Sequence, residues 1–314
     1  MSSGAVRGVR VEVPATTANL GAGFDVLGLA LDITNVLEFS LSDTPGVEVH
    51  IHGPGADRLP RDSSHLAVQA AWRFYEESGL PRPEGLKVRQ RLGVPLAGGL
   101  GSSATAVVGG ILAAAALSGA DWSMEHVLEL ASAIEGHPDN VAPALLGGLV
   151  VSVREESGKV CAVPVPVNEA WSPAAVLAVP DFQLKTSDAR AVLRPAVTLA
   201  DAVYNVGRAA LFVAAAAAGR TDCLSVCMGD RLHQAERSCL IPGLASVFAA
   251  ARAAGALGVA LSGAGPTVLA LAEPADAEAV GQAMVRAFAD AGVSANIIHT
   301  APRYDGATVY TIRS

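Results

Sequence analysis

The segment Val94-Pro-Leu-Ala-Gly-Gly-Leu-Gly-Ser-Ser-Ala104 constrains this chain more than any other stretch. Glycines at 98, 99 and 101 let the backbone turn tightly and let a ligand or a second backbone come against it. The Ala-rich run that follows, Ser103 to Leu117, reads as a helix. Its first N–H groups lack intrahelical partners and sit at the positive end of the helix dipole. A strand, a glycine loop and a helix start in that order suit phosphate. A plain glycine turn closing a helix on a sheet has the same local pattern, so other segments must decide between the two. A Walker A loop is excluded, because Ser102 and Ser103 stand where that motif needs Lys followed by Ser or Thr. Gly99-Leu-Gly101-x-x-Ala104 fits the looser dinucleotide fingerprint, which requires an acidic residue ending a second strand about 20 positions on. Asp121 has the spacing but lies in the loop Ser118–Ser123, behind a helix.

Charge narrows the ligand classes. The chain carries a net charge of −8 and has only three lysines, Lys87, Lys159 and Lys185, so its field repels nucleic-acid backbones. An anionic ligand must be held by placed arginines, main-chain N–H groups or a metal. With 51% hydrophobic and 17% charged residues the chain can fill sizeable cores, which excludes a disordered scaffold. The four cysteines, Cys161, Cys223, Cys227 and Cys239, have neither Cys-x-x-Cys nor zinc-finger spacing and read as buried reduced thiols. Met1–Val13 has no continuous apolar run of the signal-peptide kind, so a cytoplasmic chain is expected. The Ala-rich runs Val107–Ala120 and Ala209–Gly219 fall short of the ~20 strongly apolar residues of a membrane span and read as buried helices.

Val9, Val11 and Val13 alternate with charged residues, as do Val47, Val49 and Ile51, which predicts strands. Further strands are expected at 36–41, 86–91, 149–153, 160–165 and 175–179. Helices are expected at 65–78, 103–117 and after Ser123, a natural N-cap ahead of the stripe Val127, Leu128, Leu130, Ala131 and Ile134. Beyond residue 170 come helices at 199–218 and 244–254, then two apolar runs, 258–261 and 267–272, joined by Ser262-Gly-Ala-Gly-Pro266. A helix at 276–291, a run at 295–299 and a strand at 308–312 close the chain. There is no internal repeat. The pattern predicts an α+β protein in two lobes, 1–168 and 169–314, with Pro164, Pro166 and Pro173 punctuating the junction.

Two more segments accompany the glycine loop: Pro14-Ala-Thr-Thr-Ala-Asn-Leu-Gly-Ala-Gly-Phe-Asp25, and Leu261-Ser-Gly-Ala-Gly-Pro-Thr267, whose glycines would let a second backbone approach the first loop. In this order and separation the three segments resemble the signature motifs of the GHMP small-molecule kinases, over most of the chain. Within that superfamily the first segment, Glu135-Gly-His-Pro-Asp-Asn-Val-Ala-Pro143, Thr186-x-x-Ala-Arg190 and His233-Gln-x-x-Arg237 are similar to the homoserine kinases.

The resemblance implies a two-lobed GHMP kinase fold, with an N-terminal mixed β/α nucleotide-binding lobe and a C-terminal ferredoxin-like α/β lobe. It implies ATP and Mg²⁺, L-homoserine as substrate in a step towards threonine, and a homodimer as a common assembly. The nucleotide would lie on Pro95, Leu96, Ala97, Gly98, Gly99, Leu100, Gly101, Ser102, Ser103, Ala104 and Thr105. His65 stands where relatives place an asparagine against adenine. Mg²⁺ would be held by Glu129 with Ser102 or Ser103, since this ion takes few protein ligands beside phosphate and water. Asn19, Asp25, His137, Arg190, Arg237 and Gly263 would line the amino-acid pocket, with guanidinium forks for the carboxylate and Asp25 for the ammonium. Thr186, Asp139 and Asn140 fall at the reacting hydroxyl. Asn140 stands where several relatives have an aspartate base, and an amide is no base. Either Asp139 turns into the role, or positioning and Mg²⁺ suffice, which the resemblance favours. Lys185 either reaches the phosphates or is solvated. Another small-alcohol kinase and a catalytically silent sensor on the same fold are the competing functions.

Overall fold

The structure, a computed structural model, describes residues 6–96 and 98–313. The first lobe contains β1 (Val6–Ala18), β2 (Leu27–Leu41), β3 (Gly46–His52), α1 (Leu66–Glu77), β4 (Gly85–Arg91), α2 (Ser102–Ser118), α3 (Met124–Glu135), α4 (Pro138–Leu146), β5 (Leu149–Arg154) and β6 (Val160–Pro164). The second contains β7 (Ala174–Pro180), α5 (Thr186–Ala191), α6 (Leu199–Ala218), the one-turn α7 (Leu224–Cys227) and α8 (Gln234–Arg237), α9 (Leu244–Ala253), β8 (Ala256–Leu261), β9 (Val268–Ala272), α10 (Ala277–Asp290) and β10 (Ala295–Thr300). A last strand, β11 (Thr308–Arg313), ends the described chain.

The first sheet runs β11-β1-β2-β4-β3, and the long β2 also pairs at its start with β5, which pairs with β6. All pairs are antiparallel except β3 with β4. The alternation at Val9, Val11 and Val13 sends these residues into one core with Phe39, Val88, Phe74 of α1, and Val107 and Ile111 of α2. In the second lobe the strand order is β10-β7-β9-β8, every pair antiparallel. With helices between β7 and β8 and between β9 and β10, this is the ferredoxin-like β-α-β-β-α-β arrangement that the resemblance implies. One face of that sheet packs on Val247 of α9 and on Met284 and Phe288 of α10. Its other face, through Leu177, Leu269 and Leu271, shares a core with Trp171, Phe212 and the first-lobe residues Leu20, Leu29 and Leu149. The lobes are therefore joined by apolar packing, and the hairpin between β8 and β9 is carried to the glycine loop before α2.

Several expectations change. The division at 168/169 separates the two sheets, but β11 crosses back to pair with β1, so the first lobe is built from both ends of the chain. β2 starts at Leu27, nine residues before the alternation at Val36, because Leu27–Leu31 is buried on both faces and does not alternate. α4, a nine-residue helix with Pro138 in its first turn and Pro143 inside, was not expected. The run Ala209–Gly219 is not a buried helix: within α6, Phe212, Ala215 and Ala216 are buried, while Ala210, Leu211, Ala214 and Ala217 are exposed. α6 is, against expectation, long and apolar enough to cross a membrane by length and composition. All four cysteines are free, but only Cys227 is buried. Cys161 and Cys239 are exposed and Cys223 is intermediate.

Candidate active site

Gly101 caps α2 in the left-handed region, φ 67°, with no side chain bonded to the first turn, so the N–H groups at the helix start remain uncovered. The other two motif segments fix this geometry. A Cβ at Gly99 would lie 2.1 Å from Ser262 O, and one at Gly101 would lie 2.0 Å from Thr16 Oγ1. Ser262 Oγ donates to Gly99 O (2.7 Å) and lies 2.9 Å from the Thr17 hydroxyl, while Thr267 N donates to Gly98 O (3.3 Å). The close approach expected of the third glycine segment is thus present. α2 is preceded by a loop after β4 and followed by Asp121 in the α2–α3 connection, so no second strand presents an acid and the dinucleotide alternative falls.

The start of α2 opens into a cavity of about 590 Å³ between the lobes. Leu96, Gly98, Gly99, Gly101, Ser102 and Ser103 are in its wall. Pro95, Leu100, Ala104 and Thr105 do not line it. Leu100, Ala104 and Thr105 turn into the core, and the Thr105 hydroxyl is committed to Ser102 O (2.8 Å) and Asn35 Nδ2 (2.7 Å). Ala97 lies outside the described residues. His65 reaches the cavity as the N-cap of α1, its Nδ1 accepting from Ala67 N (3.3 Å) and its Nε2 bonded to Gln90 Oε1 (2.9 Å). That pattern places the proton on Nε2, and burial holds the ring's pKa below its ordinary value. Both ring nitrogens are therefore occupied by the protein, and Leu59 and Pro60 also line the cavity.

Glu129 does not reach the cavity. Glu135 does, six residues later on α3, roughly 9 Å along the axis and on a different face. Ser103 Oγ donates to Glu135 Oε1 (2.5 Å), and burial pushes that carboxyl's pKa up. The carboxylate beside the loop serines is the one that opens the Glu135-Gly-His-Pro-Asp-Asn segment, a position the motif itself marked.

The N-terminus of α4 brings the next group. His137 Nδ1 is 2.6 Å from Asp139 Oδ1, and the Asn140 amide donates weakly to the same oxygen (3.4 Å). Asn140 Oδ1 in turn accepts from Thr16 Oγ1 (2.9 Å). Asp139 is 2% exposed, and both of its side-chain bonds fall on Oδ1, which holds the carboxylate against His137 and Asn140. Thr186, the first residue of α5, and exposed Lys185, its N-cap, complete this wall.

Opposite lies a cluster of charge. Arg190 donates from both terminal nitrogens to Asp25, at 2.9 and 2.8 Å, a fork-to-fork pair that raises the guanidinium's pKa. The two residues, expected to hold opposite ends of a substrate, hold each other here. Arg237 is 1% exposed, and burial followed by the nearby Arg190 charge lowers its pKa. Asn19 braces the site: its Nδ2 donates to Gly263 O (2.7 Å) and its Oδ1 accepts from Asp25 N (3.0 Å). Asn19, Leu20 and Asp25 have φ of 72°, 47° and 58°, a left-handed conformation costly for non-glycine residues, and these bonds hold Asn19 and Asp25 in it.

Comparisons with known proteins bear on the family and the fold. The model for the GHMP kinases N terminal domain matches residues 65–148, and that for GHMP kinases C terminal matches 212–290. The chain is 46% identical over 309 residues to the homoserine kinase of Trichormus variabilis, covering 96% of this chain and 99% of the relative. It is 46% identical over 301 residues to that of Carboxydothermus hydrogenoformans, covering 95% and 96%. The crystal structure of homoserine kinase from Cytophaga hutchinsonii superposes with a TM-score of 0.86 at 32% identity, covering 97% of this chain and 98% of that one. Mevalonate kinase from L. major, at 18% identity and TM-score 0.74 over 94% of this chain and 96% of that one, shares the fold. With 46% identity over nearly the whole of a relative, and with family models matching both lobes, the chain belongs to the homoserine kinase family of the GHMP kinases.

Proposed function

We propose that this chain transfers the γ-phosphoryl group of ATP to the side-chain hydroxyl of L-homoserine, giving ADP and O-phospho-L-homoserine. The observation that carries the reading is that the uncapped start of α2 and the Asp25–Arg190–Arg237 cluster open into the same cavity. The N–H groups after Gly101 would hold the nucleotide phosphates, and Leu59, Pro60 and Leu96 would take the apolar base. Arg190 and Arg237 would hold the substrate carboxylate, and Asp25 its ammonium. A zwitterion can replace the Arg190–Asp25 pair by two new pairs, so neither partner is left uncompensated.

The residues fit Mg²⁺. Among the described residues there is no cluster of three His, Cys, Asp or Glu side chains, but Glu135 with Ser102 or Ser103 supplies the few hard oxygens this ion takes beside phosphate and water. Bound there, the ion would neutralise charge on the transferred group. The chain's own residues would position: Thr186 and Asn140 flank the hydroxyl, and His137 keeps Asp139 engaged. Reaction then needs no side-chain base: the hydroxyl oxygen bonds to the γ-phosphorus as the bond to ADP breaks, and the hydroxyl proton passes late to an oxygen of the transferred phosphoryl group. Four unpaired cysteines fit a reducing compartment, which supports a cytoplasmic setting.

The test is ADP release, coupled to a reporter, over a panel of small alcohols with and without Mg²⁺. Turnover with homoserine and Mg²⁺ is expected. Turnover with mevalonate or a neutral sugar in its place would overturn the reading.

A further inference from the structure

His233 lies behind Arg237, outside the cavity wall, and is wholly buried. Its Nε2 is 2.9 Å from Gly21 O, an acceptor only, so the proton sits on Nε2 and Nδ1 is left with a lone pair. Arg237 Nη1 donates to that lone pair at 3.1 Å and to Gly263 O at 3.1 Å, while Arg237 Nε donates to Ala189 O at 3.1 Å. Three of the five guanidinium donors are thereby consumed by three different segments. No hydrogen bond among the described residues engages Nη2, whose two donors remain for a ligand.

The imidazole is itself fixed. Phe24 stacks on it, with centroids 4.9 Å apart and planes at 22°, and the same phenyl ring lies 5.4 Å from the Arg237 guanidinium and 5.7 Å from that of Arg190. Asp230, buried beneath, accepts from His233 N (3.0 Å), Gln234 N (2.8 Å) and Asn205 Nδ2 (2.8 Å). Burial keeps the ring's pKa below its ordinary value against the opposing charge of Asp230. A neutral ring is needed, since a second N–H would face the Arg237 donor.

We propose that His233 is a positioning residue: as the acceptor for Arg237 Nη1, it turns the free Nη2 edge of that guanidinium toward the substrate carboxylate. The proposal rests on the reading that Arg237 holds that carboxylate.

Two substitutions separate this role from simple packing. In His233→Asn the side-chain oxygen can take the place of Nδ1 and keep the bond from Arg237, while the bond to Gly21 is lost. In His233→Gln the amide nitrogen can reach Gly21, while the acceptor for Arg237 is lost. Steady-state kinetics at a temperature where each variant is folded by circular dichroism should show the homoserine KM raised about tenfold or more in H233Q and little changed in H233N, with the KM for ATP unchanged in both. Activity on 3-aminopropan-1-ol, which lacks the carboxylate, should be the same in H233Q and wild type. Equal effects of the two substitutions, a parallel rise in the KM for ATP, or an equal loss on 3-aminopropan-1-ol would overturn the proposal. An Arg237→Met variant distinguishes the underlying reading: if its homoserine KM is unchanged, the carboxylate assignment falls and the proposal with it. If that KM rises while H233Q matches wild type, the proposal alone falls. Should H233Q not fold, ¹⁵N NMR of the wild-type imidazoles decides. The His233 ring should be the neutral Nε2–H form, with its Nδ1 resonance moving on homoserine addition in the presence of a non-hydrolysable ATP analogue. An Nδ1 resonance that stays in place would overturn it.

Discussion

Glu135, at the last position of α3, lines the cavity beside Ser103, whereas Glu129, six residues earlier and half-buried, does not line it, and the proposed metal-holding role separates the two. Glu135→Gln should lower kcat by a factor on the order of 10² to 10³ and raise the Mg²⁺ concentration needed for half-maximal rate. Glu129→Gln should stay within about twofold of wild type, since Glu129 does not line the cavity. A Mg²⁺ titration of both variants checks this. His137 gives a pH-dependent counterpart. Burial alone would lower its pKa, but the bond and charge of Asp139 and the charge of Glu135 outweigh it, and the net shift is upward. With the folded value above the unfolded one, the pairing stabilises fully below the unfolded pKa of 6.5 and is lost as pH rises through the folded value. Thermal melts of His137→Gln and wild type should therefore differ most near about pH 6 and converge at alkaline pH. A gap that widened with pH would contradict the pairing. These side chains show where a linear sequence stops informing. Arg190 and Asp25 were identifiable from their motifs, but 165 residues separate them, and no local spacing says that each is the other's partner.

At the level of elements, the glycines around α2 distinguish backbone strain from crowding. Gly119 and Gly99 both have positive φ, 69° and 80°, but a Cβ at Gly119 meets nothing within 4 Å whereas one at Gly99 meets the Ser262 carbonyl. Gly119→Ala should cost about 1 kcal/mol, the conformational penalty alone. Gly99→Ala should cost about 3 kcal/mol or more and should also raise the KM for ATP, because the β8–β9 hairpin must withdraw from the cradle. Urea unfolding with ATP kinetics measures both, and equal costs would mean that the hairpin is not packed as described. α3 and α6 were legible because their apolar positions recur at helical spacing and their ends carry caps, whereas α2 was legible as an unbroken Ala-rich run. Ser123 accepts from His126 N as an N-cap should, and α6 spans the expected 199–218. α4 was illegible for the converse reason. It is short and holds Pro143, and it is stabilised by tertiary contact: Asp139 O lies so near Gly28 that a Cβ there would be 1.9 Å away. The cavity-lining residues Asp139 and Asn140 on its first turn are thus presented by a helix that the sequence pattern alone does not announce.

The whole molecule is closed by its C-terminal segment, and this makes the catalytic end of the first lobe depend on residues remote in sequence. After β10 the chain leaves the second sheet and runs over the first. Arg303 N donates to Ala30 O, Gly148 N donates to Arg303 O, and Ala307 N donates to Ala144 O at the end of α4. β11 then pairs with β1, Val9 opposite Thr311 and Val11 opposite Val309. β11 was readable as a strand from its β-branched and aromatic run, but its partner was not readable, since pairing across nearly the whole chain leaves no trace in local pattern. Two deletions grade the consequence. Removing residues 308–314 strips the edge partner from β1 while leaving the braces on α4, and should lower stability by on the order of 3 kcal/mol with kcat largely retained in the folded fraction. Removing residues 302–314 also releases Ala30, Gly148 and Ala144, so α4 loses its C-terminal anchor. This longer deletion should lower kcat as well as stability, because Asp139 and Asn140 sit one to two turns away on the same helix. For a chain of this size each kcal/mol corresponds to about 2–4 °C in melting temperature, so the shorter deletion should melt roughly 6–12 °C below wild type. If the two truncated proteins melted together and retained equal kcat, the C-terminal segment would serve only as an edge strand, and the brace on α4 would have no catalytic consequence.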